Sequence, residues 1–181
     1  MGTVTSKQNA ACALPRVALI DENKLSIGAC GAIPPLVALL INGSSRGKKD
    51  TLTTLYKLCS ARLNKERAVS AGAVRPLVDL VAEQGIGLAE KVMVVLGSLA
   101  GIEMGREAIM AENGIATLVE AMEYWSDILK EFAVLMLLQM CDESISNRGL
   151  LVSEGGIVTL VGLSHSGTAK AKHKVSQCLK P

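Results

Sequence analysis

The stretch Gly31-Ala32-Ile33-Pro34-Pro35-Leu36-Val37 decides how the rest of the chain is read, because variants of it return along the whole sequence. GAIPPLV from Gly31 becomes GAVRPLV from Gly72, NGIATLV from Asn113 and GGIVTLV from Gly155, at intervals of 41, 41 and 42 residues. A period in that range marks a helical solenoid, in which each unit buries its apolar side against its neighbours. The copies carry their own punctuation. Gly31, Gly72 and Gly155 stand where a left-handed cap ends one helix with no Cβ to obstruct it. Pro34, Pro35 and Pro76 fall in the first turn of the next helix, where a missing N–H costs least.

Outward from that stretch, each unit resolves into three helical pieces. The second helix places Ile33, Leu36, Val37 and Leu40 on one apolar stripe, and Val74, Leu77, Val78, Val81 and Ile115, Leu118, Val119, Met122 repeat it in register. A short first helix precedes it: NKLSIGAC from Asn23, NKERAVSA from Asn64, GREAIMAE from Gly105 and NRGLLVSE from Asn147, with Asn expected as the N-cap in three of the four. A longer third helix follows, carrying Leu52, Leu55, Leu58, Cys59, then Met93, Leu96, Leu99, Ala100, then Val134, Leu137, Met140, Cys141. One period earlier the same slots fall on Ala11, Leu14, Val17 and Ala18. Residues 6–21 therefore read as a third helix without its own first and second, with Pro15 at its centre, where it kinks the helix or delays its start. The last third helix begins after Gly167-Thr168 and stops at Pro181. The expected organisation is a disordered stretch 1–5 and one domain over 6–181, with repeats over about 23–63, 64–104, 105–146 and 147–181, truncated at both ends. Ends without polar caps leave apolar faces open, and self-association through them is expected.

Composition agrees with an all-α class: 49% of residues are hydrophobic but only 2% aromatic, so aliphatic side chains supply the core. The net charge of +2 gives no global reason to expect a nucleic-acid partner, although residues 1–90 hold eleven basic and seven acidic side chains and residues 91–181 eight and ten. The densest basic run is Arg46, Lys48, Lys49, Lys57, Arg62, Lys65, Arg67 and Arg75, which reads as a solvated helical face. Cys12, Cys30, Cys59, Cys141 and Cys178 are odd in number and widely spaced, against a disulfide framework or zinc site, and imply a reducing cytoplasmic or nuclear setting. His165 and His173 have no Cys at ligand spacing, and Ser164-His165-Ser166 lacks an orienting acid, so neither a metal, a cofactor nor catalysis is expected. Gly43-Ser44-Ser45-Arg46-Gly47-Lys48-Lys49 has the wrong spacing for a phosphate loop and follows a helix instead of a strand. No apolar run reaches a membrane span. MGTVTS matches the N-myristoylation pattern at Gly2 and Ser6, and a membrane partner is expected only if Gly2 is acylated.

Three helices per unit, a period near 41 and a glycine before the second helix resemble the armadillo repeat, a right-handed α-α superhelix. The wording of NAACAL from Asn9, ENKLSIGACGAIPPLVALL from Glu22, GSSRGKKDTLTTLYKLCS from Gly43, NKERAVSAGAVRPLV from Asn64 and GTAKAKHK from Gly167 is similar to the armadillo region of plant U-box proteins. In that group an N-terminal U-box recruits a ubiquitin-charged enzyme and the armadillo array holds the substrate. The resemblance implies a non-catalytic scaffold for protein partners, related to substrate recognition in ubiquitination, with any ligase activity dependent on a U-box outside these residues. A general armadillo adaptor or cargo carrier and a myristoylated membrane-surface protein are the alternatives. Pro15 and Tyr124-Trp125 depart from the family pattern.

The same resemblance makes the third helices line a concave groove. Projected by the period, its contact rows are Asn9, Asp50, Lys91, Phe132, then Thr54, Val95, Met136, then Arg16, Lys57, Ser98, Gln139. Phe132 and Met136, one turn apart, are read either as an apolar anchor for a partner or as core. Trp125, the only tryptophan, reads as a partly buried ridge cap in preference to an exposed hot spot.

Overall fold

A computed structural model describes residues 3, 6, 9, 13, 14, 16–18, 20–82, 87–142 and 144–178. Among them are twelve α-helices and no strand: α1 Asp21–Ala29, α2 Ile33–Asn42, α3 Ser45–Leu58, α4 Arg62–Ser70, α5 Val74–Ala82, α6 Ala89–Ala100, α7 Glu103–Ala111, α8 Gly114–Tyr124, α9 Asp127–Cys141, α10 Ile145–Ser153, α11 Gly156–Ser166 and α12 Ala169–Cys178. Ser6, Asn9, Ala13, Leu14, Arg16 and Val17 are also helical. Ala18 is buried, Leu14 half-buried and Val17 exposed. The expectations for Gly2, Ala11, Pro15 and a disordered stretch 1–5 lie outside the described residues, Thr3 apart.

The chain forms two compact units, Met1–Ala108 and Ile109–Pro181. In the first, like helices stack on like: α1 on α4, α2 on α5 and α3 on α6. In the second, α8 packs on α11 and α9 on α12. The stripes read from the sequence form the cores. Ile33, Leu36, Val37, Leu40, Leu52, Leu55, Leu58 and Cys59 are buried in the first unit, and Ile115, Leu118, Val119, Met122, Val134, Leu137, Met140 and Cys141 in the second.

Gly31, Gly72 and Gly155 have φ of 78°, 75° and 75°, and Asn113 fills the same slot at 56°. At Gly72 the turn closes with its N–H donating to the Val69 carbonyl and the Ala73 N–H to the Ala68 carbonyl, at 2.9 and 3.0 Å, which satisfies the last carbonyls of α4. The next helix then starts with its apolar stripe already facing inward, with Pro34 and Pro35 in the first turn of α2.

The first helices begin at Asp21, Arg62, Glu103 and Ile145, two residues before the starts expected from the motif. Asn23, Asn64 and Asn147 are therefore inside their helices and are not N-caps. Their amide nitrogens reach backward instead. Asn23 Nδ2 donates to the Val17 carbonyl at 3.2 Å, Asn64 Nδ2 to Leu58 at 3.0 Å and Asn147 Nδ2 to Met140 at 2.7 Å, each satisfying a carbonyl at the end of the preceding third helix. Asn64 also donates to the Lys24 carbonyl at 2.7 Å and accepts from Arg67 Nη1 at 2.8 Å. Gly28 makes room for it, because a Cβ there would collide with Asn64 Oδ1. Where the third repeat has Gly105, Arg106 Nη1 donates to the Ala100 carbonyl at 3.2 Å.

Two stability measurements check these assignments. Asn64→Ala removes the donor from two carbonyls inside the first unit, and chemical denaturation is expected to show a loss of about 2 kcal/mol. At position 113 the left-handed backbone should reverse the usual helical ranking: Asn113→Ala loses about 1 kcal/mol while Asn113→Gly loses nothing. An alanine variant as stable as the glycine one would contradict the assigned turn.

Candidate functional site

The expected contact rows fall on the third helices, and burial fixes which side of each is open. Leu52, Leu55 and Leu58 of α3 are fully buried, so its open face lies opposite them. At about 100° per residue, Thr53 stands nearly opposite Leu55 and Thr54 only about a quarter turn away. Thr54 is accordingly buried, its hydroxyl donating to the Asp50 carbonyl at 2.9 Å, while Asp50, Thr53 and Lys57 are half-buried. The same one-residue step recurs in α6, where Val95 is buried and Val94 half-buried, and in α9, where Met136 is buried and Leu135 half-buried. Thr54, Val95 and Met136 therefore point into the core and not into a groove, and the half-open positions are Thr53 and Val94 in the first unit and Leu135 in the second. Met136 follows the core reading, and Phe132 is half-buried. The direction of the core residue Leu55, and not the position of Asp50, sets which side of the helix is open.

The remaining expected residues stay accessible. Asn9 and Arg16 are exposed, and Lys91, Ser98 and Gln139 are half-buried, Gln139 with its amide oxygen turned into the interior. In the first unit the structure brings α3 and α6 residues together. Lys91 Nζ donates to Thr53 Oγ1 at 3.3 Å, and the Thr53 hydroxyl in turn donates to the Lys49 carbonyl at 3.0 Å. Ser98 Oγ donates to the Cys59 carbonyl at 3.1 Å, closing the end of α3. In the second unit Phe132, Leu135 and Gln139 lie along α9, which packs on α12. Thr168, just ahead of α12, donates to Glu131 Oε1 at 2.5 Å and accepts from the Ala171 N–H at 3.1 Å. Gly2 lies outside the described residues.

Tyr124 and Trp125 part company: Tyr124 is 76% exposed and Trp125 only 9%. The indole is thus a cap over the second unit's core and the phenol is open. Burial pushes the Cys59 thiol up to about 12 despite the nearby charge of Lys65, and raises Cys141 as well, whereas Cys30 is exposed. Among the described residues no three His, Cys, Asp or Glu side chains are grouped to hold a metal ion, and no single helix is long and apolar enough to cross a membrane. In α11, Ile157 and Val161 are 38% and 44% exposed, although their slot-mates Ile115 and Val119 in α8 are 3% and 6% exposed.

The family described as the plant U-box protein ARM repeat region matches this chain over residues 1–181. U-box domain-containing protein 8 of Arabidopsis thaliana is 37% identical over 115 residues, which are 63% of this chain and 30% of that protein. U-box domain-containing protein 45 of the same plant is 28% identical over 162 residues, 88% of this chain and 21% of that protein. The chain thus spans less than a third of the length of these relatives. Among solved structures, a computationally designed armadillo repeat protein for modular peptide recognition superposes with a TM-score of 0.86 at 18% identity, covering 94% of this chain and 73% of that one. A designed armadillo repeat protein in complex with the peptide (KR)4 gives 0.79 at 17% identity, covering 96% and 71%. At such identities the likeness establishes the fold, which is the armadillo repeat.

Side-chain burial leads to two expected outcomes. Met136→Ala should cost about 2–4 kcal/mol of stability, and Gln139→Ala well under 1 kcal/mol; equal losses would put Gln139 in the core. A maleimide at neutral pH should label Cys30 in the folded protein and leave Cys59 and Cys141 untouched. Because folding raises the Cys59 value, the stability it contributes is complete below about 9 and should fall away as pH rises toward about 12, visible as a declining melting temperature.

Proposed function

We propose that this chain, which belongs to the plant U-box protein ARM repeat family, is a non-catalytic scaffold that holds a segment of a partner protein along the open faces of its third helices. One observation carries the reading. Asp50, Thr53, Lys57, Lys91 and Val94 are half-buried on the sides turned away from a closed aliphatic core. They are positioned by the scaffold without being needed to fill it, and they are chemically unlike one another while the core slots repeat. A designed armadillo protein that is 17% identical holds a peptide, (KR)4, which supports a peptide-binding role for the same architecture here. The relatives are U-box domain-containing proteins, which supports substrate recognition in ubiquitination, with ligase chemistry supplied by a U-box. Free thiols at Cys30, Cys59 and Cys141 support a cytoplasmic or nuclear setting. A general adaptor role is the rival.

Selection of displayed random peptides on the intact chain, followed by hydrogen exchange with a selected peptide, tests the scaffold. Protection is expected on α3, α6 or α9, with binding lost in Lys57→Ala and Gln139→Ala variants whose melting temperature is unchanged. Protection confined to the first helices α1, α4, α7 and α10 would sink the reading. The apolar edge at Ile157 and Val161 favours a second reading, self-association. Light scattering should then show mass rising with concentration, and Val161→Glu should abolish the rise.

A further inference from the structure

We infer that the third-helix face of the Ile109–Pro181 unit takes a partner segment in which an apolar side chain and a carboxylate stand about three residues apart, the first seated on Ile128, Phe132 and Leu135 of α9 and the second on Lys174 of α12. The inference rests on the scaffold reading above and names the chemistry of what this unit holds. Its starting point is that α9 is apolar on both sides. Val134, Leu137 and Met140 are buried in the core. At about 100° per residue, Ile128, Phe132 and Leu135 fall within about 60° of one another on the opposite side, at the i, i+4, i+7 spacing of a single stripe. Ile128 is 50% exposed, and Phe132 and Leu135 are half-buried.

The fold does not require apolar residues in these slots. In α3 they hold Arg46, Asp50 and Thr53, one period on they hold Gly87, Lys91 and Val94, and in α12 they hold Lys170, Lys174 and Gln177. Accessibility follows the slots: the first is exposed and the other two are half-buried in the copies at α3, α6 and α9 alike. A repeat that seats arginine, aspartate, lysine and threonine here elsewhere has no need of isoleucine, phenylalanine and leucine to close its core. An apolar stripe left open to water in their place is the mark of a contact surface.

The charge beside the stripe selects the occupant. α9 packs on α12, where Lys174 holds the slot of Phe132 and Gln177 that of Leu135. Lys174 is half-buried, and its Nζ lies 3.5 Å from the Gln177 amide oxygen, a partner that carries no charge. Residues 155–181 contain Lys170, Lys172, Lys174 and Lys180 and neither Asp nor Glu, so nothing in α11 or α12 offsets it. The acids of α9 stand nearer its start. Glu131 accepts from Thr168 Oγ1 at 2.5 Å and lies 4.0 Å from Lys170 Nζ, which matches it to Lys170, and Asp127 is exposed in the first turn, where the helix dipole favours it. Neighbouring helix axes are about 8–10 Å apart and extended chain advances about 3.3 Å per residue, so a segment with an apolar side chain over α9 reaches α12 about three residues away. A carboxylate there meets Lys174, and apolar contact and charge together make the selectivity.

Fluorescence anisotropy on the intact chain tests the assignment with labelled peptides of equal length, each built from two copies of Leu-Ser-Ser-Glu, Ser-Ser-Ser-Glu, Leu-Ser-Ser-Gln or Leu-Ser-Ser-Lys. The Leu-Ser-Ser-Glu peptide is expected to bind about tenfold more tightly than the leucine-free and glutamine peptides, with the lysine peptide weakest. Ile128→Ser with Leu135→Thr should erase the advantage of leucine and leave the circular dichroism melting temperature unchanged. Lys174→Glu should make the lysine peptide outbind the glutamate one, whereas Lys172→Glu, the same change in charge nearly opposite on α12, should preserve the order. A large loss of stability in the Ile128 and Leu135 variant would place the stripe in the core and overturn the inference. So would a leucine-free peptide that binds equally well, a glutamate preference that survives Lys174→Glu, or a concentration-dependent mass in light scattering that Leu135→Thr abolishes, which would give the stripe to a second copy of the chain. In those cases a library-selected peptide that still protects α3, α6 or α9 from hydrogen exchange would show that the scaffold reading stands, and protection of no third helix would show that it has fallen too.

Discussion

At Gly31, Gly72, Asn113 and Gly155 the backbone turns left-handed, and the inward facing of each second helix follows from that turn. A right-handed residue there would prolong the first helix, rotating what comes next by about 100° for each added residue. Ile33, Val74 and Ile115 would then leave the core, and the stripes behind them would follow. The demand falls on the backbone, and glycine meets it most cheaply. Asn113 shows that the conformation outranks the residue type, since a side chain tolerated in the left-handed region holds the same φ sign in the same slot.

The second link runs backward along the chain. A third helix ends with carbonyls that have no intrahelical partner, and burial between repeats keeps water from supplying one. The amide of Asn23, Asn64 or Asn147 supplies the donor from the helix that follows. Asn64 goes further by holding the Lys24 carbonyl of α1 as well, so one side chain ties two repeats of the first unit together. The third repeat solves the same problem with the guanidinium of Arg106.

Period, helix count and core stripes were legible in the sequence because each is a matter of repetition: an apolar residue in a recurring slot is buried in every copy. The role of the asparagines was not. An N-cap and a backward-reaching amide occupy nearly the same position beside a helix start, and only the start at Arg62 in place of Asn64 distinguishes them. The half-open row was missed for a related reason. Asp50, Thr54, Lys57 and Asp50, Thr53, Lys57 both lie along one helical face, and the one-residue choice depends on the direction of the core at Leu55. Trp125 fitted its expectation because a large ring beside the end of a second helix has a core edge to cover.

What separates core from open surface is therefore the kind of slot and not its place along the chain. Slots facing the core are occupied mostly by Leu, Val, Ile, Met, Ala or Cys, with Thr51 and Thr54 of α3 as buried polar exceptions, because the space they fill is set by stacking. The slot of Lys57 is released from that demand, and its occupants are Arg16, Lys57, Ser98 and Gln139. Two of these are cations and two are neutral, so the backbone repeat is regular while its charge is not.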